Sequence, residues 1–356
     1  MNILKTNTVI ALFLVLVVVL FPGCKDDTPD PILIVPEVKI KKRSVLIANQ
    51  GNGGDGSLSI YETLSKEVQH LVYEPYSSEV THHVYQKANG EKLGGTLVAL
   101  TKIEDEYYFV LQDIGKIIVT DSNFLKLGEI LDLKSPTQIY KVGTGKGYVT
   151  SSTAKYITVV DLFSNEKSGV IGTGAEVTTG VVKDSSFVCL VPSQDIILEI
   201  NAHRDSVVDR VTLTGGMQSI FLDNNDLIRI YIQPDWSMVT WWKSNDEDNF
   251  VGALLRGRPR EMLYSSSNDR FYYLNKNDNS IWESEVEYRS ARSNLHIEVD
   301  VVPELHSLGR DFTNGEFYTS YEMEGSDSTR VIRFSEFGKV LDEFSVPSKT
   351  SNFFFP

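Results

Sequence analysis

Downstream of residue 43, apolar side chains come in short runs rich in Val, Ile, Tyr and Phe, separated by Gly, Ser, Asn and Asp. One stretch shows the unit. Residues 135–140, Gly147-Tyr148-Val149-Thr150-Ser151, Tyr156-Ile157-Thr158-Val159-Val160-Asp161 and Ser168-Gly169-Val170-Ile171-Gly172 are four such runs in succession. β-branched and aromatic runs bounded by turn residues predict strands. The unit recurs about every forty residues: Asp121, Asp161 and Asn201 each close a third run, and Trp242 and Trp282 fall near the same phase. No long segment shows the three-to-four spacing of an amphipathic helix. Four strands per forty residues, repeated, predict an all-β chain folded as a β-propeller with four antiparallel strands per blade.

The second runs at 44–50, 107–112, 147–152, 187–192, 227–233, 271–275 and 317–321 predict seven blades. The first blade would begin at its second strand. Its missing innermost strand is expected from Ser351-Asn352-Phe353-Phe354-Phe355-Pro356, which would close the ring. Three phenylalanines left bare at a terminus would otherwise promote aggregation. The first two blades are spaced more widely than the others. An insertion at about 75–95, containing His82, His83 and Ala88-Asn89-Gly90, is expected on one face.

The first residues follow another pattern. A short segment with one cation, Lys5, precedes an almost unbroken apolar run over 9–21, and Leu20-Phe21-Pro22-Gly23-Cys24 resembles a bacterial lipobox. Residues 1–23 therefore read as a lipoprotein signal peptide, and Cys24 as the lipidated N-terminus of the mature chain. Residues 24–43 would be the lipidated cysteine and a flexible tether, and 44–356 the propeller. Lys25-Asp26-Asp27 resembles the short signal that sends Bacteroidetes lipoproteins to the cell exterior, so a lipid-anchored place on the outer membrane is expected.

Composition narrows the chemistry. Among 356 residues, 34 Lys+Arg against 48 Asp+Glu give a formal net charge of −14, which disfavours nucleic-acid partners. With 2 cysteines there is no disulfide framework, and Cys189, inside Phe187-Val188-Cys189-Leu190-Val191, reads as a buried strand thiol. Gly51-Asn52-Gly53-Gly54-Asp55-Gly56 matches a dinucleotide fingerprint in letters. A strand follows it instead of a helix, so a hairpin loop is expected. The 6 histidines lack metal-ligand spacing, and no metal site or resident cofactor is expected. Asn275-Lys276-Asn277-Asp278-Asn279 is too short for a calcium loop. No nucleophile elbow or acid–base set is present, so an enzyme is not expected.

What remains is a binding rim. The loops between second and third strands, with those entering each first strand, gather at one end of a propeller's channel. They carry Gln50, Asn52, Gln112, Ser151, Gln194, Gln218, Gln233, Trp236, Asn275, His306 and Tyr321, with a basic cluster of Arg256, Arg258 and Arg260. Such a ring of amides, aromatics and arginines suits a large ligand with a polar rim.

The stretches Asn49-Gln50-Gly51-Asn52 and Gly56-Ser57-Leu58-Ser59-Ile60-Tyr61, then Ala88-Asn89-Gly90-Glu91-Lys92-Leu93-Gly94, resemble the YncE-like surface propellers of Bacteroidetes, which include BtuG-type cobamide-binding lipoproteins. The blade motifs around Gly147-Tyr148-Val149-Thr150 fit as well. The resemblance implies capture of a cobamide, a cobalamin-like corrinoid, outside the cell and its delivery to a TonB-dependent transporter. Corrins carry many peripheral amides, which Gln, Asn and backbone groups match. The alternatives are capture of another large chelate, a siderophore or haem, and an adhesion or scaffold propeller.

Overall fold

The computed structural model describes residues 38–68, 71–72, 77–212, 217–223, 226–232, 237–242, 251–287, 290–299 and 304–356. The leader, Cys24 and most of the expected tether lie outside them, as do Gln233 and Trp236. Two compact units are distinguished, 1–41 with 65–74, and 42–64 with 75–356. Among the described residues, no helix is long and apolar enough to cross a membrane.

The strands follow in chain order. The first sheet contains β1 (Val38–Asn49), β2 (Ser57–Val68), β3 (Leu71–Val72) and β4 (Ser77–Thr81). A six-residue helix, α1 (Val84–Asn89), comes next. The next blade holds β5 (Leu97–Ile103), β6 (Glu106–Leu111), β7 (Lys116–Thr120) and β8 (Lys126–Ile130). Then come β9 (Pro136–Gly143), β10 (Lys146–Ser151), β11 (Tyr156–Asp161) and β12 (Glu166–Gly172). Another blade has β13 (Thr179–Lys183), β14 (Ser186–Val191), β15 (Ile196–Asn201) and β16 (Ser206–Thr212). It is followed by β17 (Met217–Asp223), β18 (Asp226–Ile232), β19 (Ser237–Trp242) and β20 (Val251–Leu255). The last two blades are β21 (Pro259–Ser265), β22 (Arg270–Asn275), β23 (Ser280–Glu287) and β24 (Ser290–Ile297), then β25 (Leu305–Asp311), β26 (Glu316–Glu322), β27 (Ser328–Phe334) and β28 (Val340–Pro347). The chain ends on β29 (Thr350–Phe354).

This is an all-β propeller with four antiparallel strands per blade. The expectation of seven blades is corrected: among the described residues there are six four-stranded blades. The sheet holding both chain ends departs from the repeat. It is five-stranded, ordered β29-β1-β2-β3, with β4 also on β2. At twelve residues, β2 is long enough for two short partners, β3 at Glu67 and Val68 and β4 over Ile60 to Leu64.

The expected pairing of the two ends is present. β29 lies antiparallel to β1, Leu46 opposite Phe354 and Ile47 opposite Phe353. Phe353 is buried, and Phe355 comes 5.5 Å from the Tyr318 ring. The second strands fill the middle of their blades, which explains their apolar composition. β14 has no exposed residue, whereas the outermost β12 is exposed at six of its seven positions. Cys189 is fully buried in β14, as expected.

α1 departs from the sequence reading, which contains no helix. It starts at His83 with φ 54 and stops at Gly90 with φ 73, whose N–H donates to the Gln86 carbonyl at 2.8 Å. It buries Tyr85 5.9 Å from Phe109. The Asn89 amide donates to the Phe124 carbonyl at 2.8 Å, beyond β7, while at the other blade edge Gly56 N–H donates to the Gly95 carbonyl at 2.9 Å. The stretch expected as an insertion holds β4, which pairs with β2, and then α1. Its core joins Leu46, Leu58, Tyr85, Leu93 and Leu97.

A polar lock sits behind the terminal sheet. Arg333, buried on β27, donates through Nε to Glu316 at 3.0 Å and through a terminal nitrogen to the Tyr61 hydroxyl at 3.2 Å. Tyr61 donates in turn to Asp342 at 2.8 Å, and its ring stacks on Phe344 at 4.3 Å.

Candidate functional site

Each blade's first strand runs from an upper edge, where the connection from the preceding blade arrives, to a lower edge, where a tight turn leads into the second strand. First strands β29, β5, β9, β13 and β17 pack in succession, as do β21, β25 and β29. These inner strands line the channel of the propeller.

At the upper mouth six inner strands share one irregularity. The ladder skips one residue between Leu97 and Ala99, Pro136 and Gln138, Met217 and Ser219, Arg260 and Met262, Leu305 and Ser307, and Thr350 and Asn352. The bulged residues are Val98, Thr137, Gln218, Glu261, His306 and Ser351. A β-bulge inserts an unpaired residue and re-aims its side chain, and bulges gather beside functional sites. Gln218 and His306 were anticipated as rim residues; the other four were not. Period-two alternation cannot show where a ladder skips.

Two members of this ring keep their hydroxyls occupied by the backbone. Thr137 donates to the Thr178 carbonyl at 3.1 Å and Ser351 to the Ala48 carbonyl at 3.1 Å. Glu261 and His306 are the ionisable members. Glu261 has φ 46 and is exposed to solvent while being surrounded by protein. That enclosure raises its carboxyl above the ordinary carboxylate range, against the opposing pull of Arg260 and Lys349. His306 is held below its ordinary value, first by burial and then by Lys349; Glu322, 3.9 Å away, opposes this. Lys349 lies 4.0 Å from Glu322. The result is an arc of ionisable groups at the mouth: Arg260, Glu261, His306, Glu322 and Lys349.

The other anticipated residues divide into framework and surface. Gln50 is half-buried, its N–H donating to the Lys349 carbonyl at 2.8 Å and its carbonyl accepting from Leu97 at 3.2 Å. Gln112 reaches Ser152 of the next blade at 3.2 Å. Ser151 is buried and donates to the Lys134 carbonyl, so it holds a turn and presents nothing to a ligand. Asn275 is also buried, accepting from Arg258 N–H at 3.0 Å and donating to Asp278 at 3.1 Å. The 275–279 loop is a polar hairpin, as expected. Tyr321 turns away from the rim and donates to Glu343 on β28 at 3.0 Å. Asn52 is exposed and donates to Asp327 at 3.1 Å; Gln194 is exposed in a short 3-10 turn.

The basic cluster does not converge. Arg256 lies over the Trp282 ring at 5.3 Å, beside an open groove of about 490 Å³ that also has Arg292 and Asn294 in its wall. Arg260 points instead toward the mouth, pairing with Glu304 and donating to Asn279 at 3.0 Å. Arg258 is exposed between them. Arg256 and Arg258 lie in the connection between β20 and β21 and only Arg260 is on a strand, so strand geometry does not align the three.

The glycine-rich stretch is a loop between β1 and β2, as expected. Gly51 has φ +86, and a Cβ there would fall 2.1 Å from the Asp55 carbonyl carbon. His82 lies 3.1 Å from the Ser59 hydroxyl, and His83 serves as the left-handed start of α1. Among the described residues, no group of three His, Cys, Asp or Glu side chains is placed to hold a metal ion.

Residues 46–226 match the model of a family described as a domain of unknown function (DUF5074). No curated protein matches the sequence. Among solved structures, a quinonprotein alcohol dehydrogenase-like protein of Bacteroides thetaiotaomicron superposes with a TM-score of 0.61 at 11% identity, over 90% of this chain and 94% of its own. A candidate 6-phosphogluconolactonase of Bacteroides fragilis gives 0.59 at 11% identity, over 88% and 98%. A functionally unknown protein of Desulfotomaculum acetoxidans gives 0.57 at 9% identity, over 86% and 100%. At these identities the likeness is one of propeller fold.

Proposed function

The chain belongs to the DUF5074 family of domains of unknown function, and from that premise we propose that it is a non-enzymatic capture protein whose ligand seats on the upper channel mouth. The observation that carries this reading is the ring of bulged residues. Six inner strands interrupt their pairing at the same level, and the ring includes a carboxyl and an imidazole beside Arg260 and Lys349. A broad mouth with spaced polar groups suits a large ligand that has hydrogen-bonding groups around its periphery.

The ligand class favoured is a cobamide. Its side-chain amides offer both donors and acceptors to an arc containing carboxylate, imidazole and cations. The sequence resemblance to YncE-like surface propellers supports the same choice. The chain would act from a lipid anchor on Cys24 at the outer face of the outer membrane and pass its ligand to a TonB-dependent transporter.

Calorimetric titration of the full chain with cyanocobalamin, cobinamide, a ferric siderophore and haem tests the reading. Saturable binding of a corrinoid is expected, weakened about tenfold or more by Glu261→Ala combined with His306→Ala. Binding of the siderophore or haem alone would replace the cobamide. Binding of none of the four would remove the capture function.

A further inference from the structure

Phe163, Phe312 and Phe337 are the exposed aromatic side chains among the described residues, at 79%, 49% and 90% exposure. All three sit in turns on the lower edge, opposite the channel mouth. Phe163 lies between β11 and β12, Phe312 between β25 and β26, and Phe337 between β27 and β28. The turns are well built. Phe163 rests on Gly145, where an added Cβ would fall 2.1 Å from the ring. The Phe337 turn is closed by Ser335 N–H on the Lys339 carbonyl at 2.8 Å and Gly338 N–H on the Ser335 carbonyl at 3.0 Å. Phe312 is half exposed with Arg310 5.4 Å from its ring centre, while Phe163 and Phe337 are the barer tips. Aromatic rings presented this way suit the water–hydrocarbon boundary of a bilayer.

The course of the chain points the same way. β1 ends on the upper edge, where Gln50 follows it, so the chain arrives at Lys42 and Arg43 on the lower edge. These two close a run, Lys39, Lys41, Lys42 and Arg43, with four cations in five positions of an otherwise acidic chain. Lys42 is exposed and pairs at 2.6 Å with the half-buried Glu62. Thirteen residues separate Cys24 from Val38, a ceiling of ~45 Å at full extension. A basic run just after an anchor is attracted to anionic headgroups.

We infer that the lower edge is a membrane-docking face: Phe163, Phe312 and Phe337 enter the headgroup boundary of an anionic bilayer, with Lys42 and Arg43 against its phosphates. The channel mouth then opens away from the lipid, an orientation suited to capture, and delivery to a transporter requires the docked face to let go. The docking face is independent of which ligand the mouth takes, and rests on the anchored reading only for the acyl chains that bring it to the surface.

The test uses the full chain in vesicles of phosphatidylethanolamine and phosphatidylglycerol with brominated acyl chains. Phe163→Trp, Phe312→Trp and Phe337→Trp are compared with Ile114→Trp, an exposed position in an upper turn between β6 and β7. Each lower-edge variant is expected to add tryptophan emission that bromine quenches at least twofold more than in the Ile114 variant. Equal quenching at all four positions, or none at the lower edge, overturns the docking face and leaves the phenylalanines to a protein partner. The mass of the N-terminal peptide reports the anchor separately. Acylated Cys24 with unquenched tips keeps the anchor and sinks the docking face. Unmodified Cys24 with quenched tips does the reverse.

Discussion

Glu261 combines a left-handed backbone, a break in the ladder and a carboxyl enclosed by protein. Its folded pKa lies above its unfolded one, so the folded state binds the extra proton, and stability falls as pH rises through that interval. Glu261→Gln removes the penalty. The variant is expected to melt about 1–2 °C higher than the parent at pH 7 and to match it near pH 4, as scanning calorimetry would show. A lower melting point at pH 7 would mean the carboxylate is structurally required. Gly51 is a second residue whose identity follows from geometry. Any side chain there meets the Asp55 backbone in a conformation that L residues avoid, and Gly51→Ala is expected to cost about 1–3 kcal/mol in urea denaturation. Cys189 shows the opposite situation, a reactive group silenced by its surroundings. Burial pushes its thiol up to about 12, so thiol reagents should label it only as the protein unfolds.

At the scale of elements, the terminal sheet depends on two devices. β29 contributes Phe353 to a core with Val45, Tyr61, Tyr318 and Val346. Deleting Phe353 to Pro356 is expected to lower stability by at least ~3 kcal/mol, and an unchanged melting temperature would contradict the closure. The Arg333–Glu316 pair links β26 and β27 to Tyr61 on β2. Arg333 is 2% exposed, so Glu316→Gln leaves a guanidinium in the interior without its counter-ion. The expected loss is about 3–5 kcal/mol by chemical denaturation.

Strand identity in this chain was legible because β-branched and aromatic runs recur every forty residues. Phe187 to Val191 announces a buried second strand, and Ser351 to Phe355 announces a strand seeking a partner. α1 was not legible. Six residues make less than two helical turns, and Val84, Tyr85 and Ala88 owe their helical state to packing of Tyr85 under the neighbouring blade. The blade count was misjudged where β2 outgrew the repeat. At the mouth, polar residues in upper loops were found by position. Ser151, Asn275 and Tyr321 proved to be spent on internal hydrogen bonds, which composition cannot disclose. Glu261 is not legible because it sits at a bulge, which alternation does not disclose.

At the scale of the molecule, burial of imidazoles contributes to the response to acid. His296 sits between Tyr272 and Phe317, 3.4 Å from Glu283, with Arg310 and Glu336 close by. Burial, helped by Arg310, lowers its pKa against the pull of Glu283 and of Glu336, and His306 is lowered similarly. A folded pKa below the unfolded 6.5 means that the unfolded chain takes up protons first. Stability present at neutral pH is therefore lost as pH drops from about 6.5 toward the lowered values. The fall in melting temperature between pH 7 and pH 5 should be shallower in His296→Gln than in the parent. Parallel curves would assign the acid response to other groups.

Because one edge of β1, with Leu46 and Ile47, is covered by Phe354 and Phe353, roughly three hundred residues later, the first sheet cannot be finished until β29 has been made. Until β29 arrives, a nascent chain carries one open strand edge, a template for pairing with other chains. A premature stop ahead of β29 would leave that edge open.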